Sequence, residues 1–143
     1  SQARQLGITV PILGDDGFDS PKLVELAGDA AEGVVFSSPF FRDEPRDMVQ
    51  NFIKSYKEKF NKDPDMLSAQ SYDCVLVLAD AIKRANSTAK EAIRKALSET
   101  KDLETVTGKI SFDEHNEAIK PVILTEIKNG KFTFLKNQTV TTK

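Results

Sequence analysis

The order of periodicities along the chain predicts an α/β or α+β protein. Three observations carry that reading. Two short β-branched runs near the N-terminus flank a helical segment, three stretches of helical apolar spacing fill the middle, and the C-terminal part alternates around an Asn-Gly pair. The order is therefore strand, helix, strand, three helices, then antiparallel strands.

Residues 1–7 read as the last turns of a helix stopping at Gly7, so the chain is expected to be a fragment that begins inside an element. Ile8-Thr9-Val10-Pro11-Ile12-Leu13 reads as a strand with Pro11 near its start or edge. Ser20-Pro21 announces a helix, because serine caps free amides and proline tolerates the first helical position. Leu23, Leu26 and Ala27 mark its inner face, and residues 33–37 form a second strand. Asp43-Glu44-Pro45 resembles a helix start, and Met48, Val49, Phe52, Ile53, Tyr56 and Phe60 then line one side of a long amphipathic helix. A second helix covers residues 67–85, with Tyr72, Val75, Leu76, Leu78, Ala79 and Ile82 as its apolar surface. Thr88 and Glu91 have the spacing of a capping box that opens a third helix. Strands follow at residues 108–112 and 122–127. Asn129-Gly130 is a two-residue hairpin signal, since both positions tolerate positive φ, and residues 131–135 form the returning strand. The tail from Asn137 is polar and expected to fray.

The chain has 143 residues with 20 basic and 22 acidic side chains, which gives no electrostatic reason to expect nucleic acid as a partner. Cys74 is the single cysteine, so no intrachain disulfide can form, and it is expected to be a small buried helical residue. No run approaches the roughly 18 apolar residues of a membrane span. His115, the only histidine, falls in a polar turn and reads as a surface residue. No phosphate-binding glycine loop of the Walker type and no nucleophile elbow occurs, so the sequence predicts no catalytic apparatus, no metal and no cofactor.

One segment stands out chemically. Asp15, Asp16 and Asp19 lie where a strand ends and a loop leads into a helix, the place where open α/β sheets bind ligands. A carboxylate there can hold an ammonium group through charge-assisted hydrogen bonds. The same residues also suit a solvated acidic turn with Asp19 or Ser20 as helix cap, and the residues alone leave both readings open. A metal-dependent enzyme using Asp15, Asp16 and Asp19 is a further alternative, weakened because no nearby histidine completes a transition-metal set.

Four stretches together resemble one family. They are residues 11–23 (PILGDDGFDSPKL), 27–35 (AGDAAEGVV), 71–75 (SYDCV) and 107–113 (TGKISFD). Their ordered combination is similar to the type I periplasmic solute-binding proteins for leucine, isoleucine and valine that serve ABC transporters. The resemblance implies an α/β fold of two lobes closing on a ligand, with the N-terminal half of that fold absent here. It implies residues 1–38 and 105–143 in one lobe, residues 40–104 in the other, and hinge crossings near 38–41 and 103–106. It implies an amino-acid ligand, a membrane permease as partner, and the missing N-terminal portion of the same protein as a second partner. A sensory or receptor module of the same fold is the alternative function. The expected location is the periplasm, or the outer face of the cytoplasmic membrane through a lipid anchor.

The family's ammonium-binding acidic residue matches Asp16, between Gly14 and Gly17, with Asp15 beside it. Phe18 matches a bulky position near the cleft, and the segment from Leu67 to Tyr72 matches a pocket wall of the other lobe, with Gln70 and Tyr72 as candidates there. Removing a carboxylate from water on lobe closure is costly unless it is paired, which favours a cationic ligand group.

Overall fold

The computed structural model describes residues 1–139. The chain divides into two compact units, one made of Ser1–Phe41 with Val122–Gln138 and the other built on Arg42–Pro121.

The first unit carries a four-stranded sheet in the order β1-β2-β6-β7, formed by Leu13–Gly14, Val35–Ser38, Pro121–Lys128 and Lys131–Thr139. β1 runs parallel to β2, with Leu13 opposite Val35 and Gly14 opposite Phe36. β2 runs antiparallel to β6, with Val35 opposite Glu126 and Ser38 opposite Ile123. Ala31, Val34, Phe36 and Ile127 form the buried centre, and Ile12, Phe18, Leu23, Val24, Ala27 and Phe132 pack around it. The Phe36 and Phe132 rings meet edge to face at 5.1 Å, the arrangement their quadrupoles prefer.

Between β1 and β2 lies α2 (Pro21–Ala27), begun as the sequence predicts by Ser20, whose hydroxyl accepts the Lys22 amide at 3.3 Å. Its inner face is Leu23, Val24 and Ala27, whereas Leu26 is left exposed. The N-terminal helix α1 covers Gln2–Gln5. The strand expected from Ile8 shrinks to Leu13–Gly14. Arg4 instead holds the carbonyls of Ile8 and Val10 at 2.7 and 3.0 Å, and Pro11 has no amide to give a ladder.

The second unit contains three helices, α3 (Asp47–Phe60), α4 (Met66–Ala85) and α5 (Lys90–Ser98), with the short strands β3 (Leu103–Thr105), β4 (Gly108–Phe112) and β5 (Ala118–Ile119). α3 starts later than expected, two residues beyond Pro45, with Arg46 in an extended conformation at its cap. Arg46 is drawn out of the helix by its other bonds, to Glu44 and to the Thr105 and Val106 carbonyls. α3 and α4 both end on an asparagine in the left-handed region, Asn61 and Asn86, the usual way to stop a helix without glycine. The capping box does not form. Ser87 accepts the Ala89 amide at 3.1 Å, α5 begins at Lys90 with Ala89 as its cap, and Glu91 pairs with Arg94 instead.

The buried stripe of α4 is Ala69, Asp73, Val77 and Ala81, spaced four apart. Tyr72, Val75 and Leu78 of the expected apolar surface are exposed, so α4 is apolar on more than one side. Cys74 is exposed as well, one position out of phase with the buried stripe. The second unit runs to Pro121, and the first resumes at Val122. Thr105 and Val106 are fully buried within the second unit, for reasons given below. β7 continues through Asn137 to Thr139, and the rest of the expected frayed tail lies outside the described residues.

Candidate functional site

The acidic turn is a 3-10 turn at Asp16–Phe18 between β1 and α2. Asp15 caps it, its carboxylate accepting the Gly17 amide at 3.0 Å. Phe18 turns inward onto the buried centre of the first unit and lies directly over Gly14. A Cβ at position 14 would overlap the Phe18 ring, so glycine is required there by close packing rather than by its backbone angles. Asp19 bonds to the buried Ser38 hydroxyl, which also accepts the Phe40 amide at 3.1 Å. This pair ties the end of the turn to the end of β2.

The three aspartates thus differ in employment. Asp15 and Asp19 hold local structure. Asp16 is exposed, and its carboxylate has no hydrogen-bond or ion-pair partner among the described residues. Leu13, Gly14, Asp15, Phe18 and Ser37 surround a shallow, open depression of about 530 Å³. Ser37 was not predicted. It stands at the C-terminal end of β2 beside the end of parallel β1, and the strand-end rule that picked out the acidic turn applies equally to it. The metal alternative is not supported, since the described residues contain no group of three His, Cys, Asp or Glu side chains able to hold an ion.

The remaining predicted residues lie on α4 in the second unit. Tyr72 packs against Phe52 at 5.0 Å and lines a groove of about 660 Å³ with Ser68, Ser71, Leu76 and residues of α3. Gln70 and Leu67 do not line it. Two positions apart on a helix project about 200° from one another, so Gln70 and Tyr72 face opposite sides of α4.

A residue the sequence reading passed over is Asp73. Buried in the middle of α4, its two oxygens accept the Val106 and Thr107 amides, each at 2.8 Å. From the other side, the Arg46 guanidinium donates to the Thr105 carbonyl at 3.0 Å and the Val106 carbonyl at 2.9 Å. The turn between β3 and β4 is therefore held by its amides and its carbonyls at once. Hydrogen bonding to Glu44 raises the Arg46 pKa further above its ordinary value, so the guanidinium stays charged.

A parallel strand that leads into the acidic turn, together with a second unit of three helices, fits the type I periplasmic binding protein fold. The chain belongs to the periplasmic binding protein family, whose sequence model matches residues 1–131. In solved structures it is similar to a leucine-binding protein of Thermotoga maritima, with a TM-score of 0.85 and 39% identity over 96% of this chain. A branched-chain amino acid binding protein of Streptococcus pneumoniae, solved in complex with isoleucine, superposes with a TM-score of 0.79 and 33% identity over 97% of this chain. A leucine-, isoleucine-, valine-, threonine- and alanine-binding protein of Pseudomonas aeruginosa is 31% identical over 92% of this chain. These relatives are substrate-binding proteins, not enzymes. The chain spans 40% of the Thermotoga protein, 39% of the Streptococcus protein and 32% of the Pseudomonas protein.

Proposed function

We infer that this chain forms part of an extracytoplasmic solute-binding protein that takes up an amino acid and passes it to an ABC-type permease. The observation that carries the reading is the contrast within the acidic turn. Asp15 and Asp19 are occupied by local bonds, while Asp16 faces solvent from the C-terminal end of β1. An exposed carboxylate with unused lone pairs is a ready acceptor for the three donors of an α-ammonium group. The amino-acid specificities of the relatives agree with that chemistry.

Asp16 is the proposed ammonium partner, Gly17 and Phe18 fix the turn that presents it, and Asp15 caps that turn. Leu67, Gln70 and Tyr72 are the proposed contributors from α4. Since Gln70 and Tyr72 project to opposite sides, one of the two faces ligand and the other packs. The two units belong to the two lobes that the family resemblance implies. The relatives are more than twice as long, so polypeptide equivalent to the rest of their length is the proposed partner that completes the site. The location follows as periplasmic or extracytoplasmic.

Calorimetric titration with leucine, isoleucine and valine tests the reading on the chain alone and on the full-length gene product. The chain alone is expected to bind weakly or not at all. In the full-length protein, Asp16→Asn is expected to cost about 2–5 kcal/mol of affinity, as loss of a desolvated charge partner does. Undiminished affinity in that variant would remove Asp16 from the site.

A further inference from the structure

The Asn129–Gly130 turn has a chemistry of its own. Both residues have positive φ, 52° and 67°, as a type I′ hairpin turn requires, and both are exposed between β6 and β7. Asparagine followed by glycine is also the pair in which a backbone nitrogen can attack the preceding side chain with least steric hindrance, because glycine carries no Cβ. Here that nitrogen is engaged. Glu32, distant in sequence, accepts the Gly130 amide at 2.5 Å and the Asn129 amide at 2.9 Å, one carboxylate oxygen for each. The neighbouring Gly33 amide donates to the Ile127 carbonyl at 2.9 Å, which fixes the segment carrying Glu32 against β6.

We propose that Asn129 is a deamidation site and that Glu32 controls its rate by holding the Gly130 amide. In the reaction the Gly130 nitrogen loses its proton and bonds to the Asn129 side-chain carbonyl carbon. The bond from that carbon to the amide nitrogen breaks, and ammonia leaves with the proton. Water then opens the cyclic imide at either carbonyl, giving aspartate or isoaspartate. Glu32 opposes the first step twice. Its negative charge disfavours a developing negative charge on the Gly130 nitrogen, as like charges do at hydrogen-bond distance. Its two bonds also hold the turn in one backbone conformation, which restrains the nitrogen from swinging toward the side chain. A carboxylate is far too weak a base to take an amide proton, so it does not assist the attack.

The test is peptide mapping by mass spectrometry after incubation in warm, mildly alkaline buffer, comparing wild type, Glu32→Ala and Glu32→Gln, each folded and in denaturant. Asn86–Ser87, whose asparagine also has positive φ, serves as an internal reference. Folded wild type is expected to deamidate at Asn129 several-fold more slowly than in denaturant. Folded Glu32→Ala is expected to approach the denatured rate, with Glu32→Gln between the two, and in denaturant all three chains are expected to react alike. Amide hydrogen exchange in β6 shows whether each variant keeps its hairpin. Equal rates for folded wild type and a folded Glu32→Ala overturn the proposal, as does a variant difference that persists in denaturant.

Discussion

Asp16 in the first unit leaves its carboxylate in solvent without a described partner, whereas Asp73 in the second unit is 5% exposed and accepts two backbone amides. One is a group the fold can do without, and the other is a group the fold is built around. The difference lies in the amides each can reach. Asp73 faces a turn whose N–H groups have no ladder to join, while the Gly17 amide that follows Asp16 in the chain is already taken by Asp15. A carboxylate left over after the local bonds are made is what a binding site needs.

The largest effect that breaks this comparison is expected from Asp73→Ala. It strands the Val106 and Thr107 amides, both on buried residues, and is expected to lower unfolding free energy by about 2–4 kcal/mol in urea titrations. Asp73→Asn keeps one acceptor and is expected to cost less. A fall below 1 kcal/mol for the alanine variant would show that the turn finds other partners.

Next comes Gly14→Ala, expected to cost about 1–3 kcal/mol because its methyl group must displace the Phe18 ring. Combining it with Phe18→Leu is expected to cost less than the sum of the two single changes. Strict additivity would mean that the two residues are not in conflict.

Asp65 sharpens the comparison as an intermediate case. It caps α4, accepting the Ser68 amide at 2.8 Å and the Ser68 hydroxyl at 2.6 Å, and the hydroxyl bond is the main cause of its lowered pKa. Asp65→Ala is expected to cost about 1 kcal/mol near neutral pH. A depressed folded pKa contributes stability above the unfolded value of about 3.9 and loses it as pH falls through the folded value. The gap between wild type and variant, followed by thermal melts, should therefore narrow only in acid. A gap independent of pH would assign the stabilisation to the neutral bonds.

The smallest effect is expected from Asp16→Asn, within about 0.5 kcal/mol of wild type in the same melts. A large destabilisation would place Asp16 among the structural carboxylates and dissolve the contrast.

Much of this was legible in the sequence. Ser20-Pro21, the phase of Leu23 and Ala27, and the Asn129–Gly130 turn are local signals with local causes, and each appears where residue chemistry puts it. The misreadings share a different origin. The strand from Ile8 fails for want of ladder partners, α3 is delayed by what Arg46 reaches across to Thr105 and Val106, and α5 starts off the Thr88 cap because Ser87 takes the nearby amide. Within the candidate site, the acidic turn could be found from its place at a strand end. Residue chemistry alone leaves open which aspartate remains unoccupied, because that depends on Ser38, distant in sequence, and only the family resemblance points to Asp16. Asp73 left a readable trace, since it falls in step with Ala69, Val77 and Ala81, but a charge in an apolar stripe names no partner.

The packing of Phe18 over Gly14 bears on how readily this site can be re-engineered. Position 14 is closed to any larger residue unless Phe18 changes with it, so the floor of the depression is effectively invariant. A library randomised across residues 13–18 would spend most of its diversity on chains with a damaged turn. If the depression is the ligand site proposed above, variation at Leu13 and Ser37, which border it outside the Phe18–Gly14 contact, is the economical route to a new ligand preference.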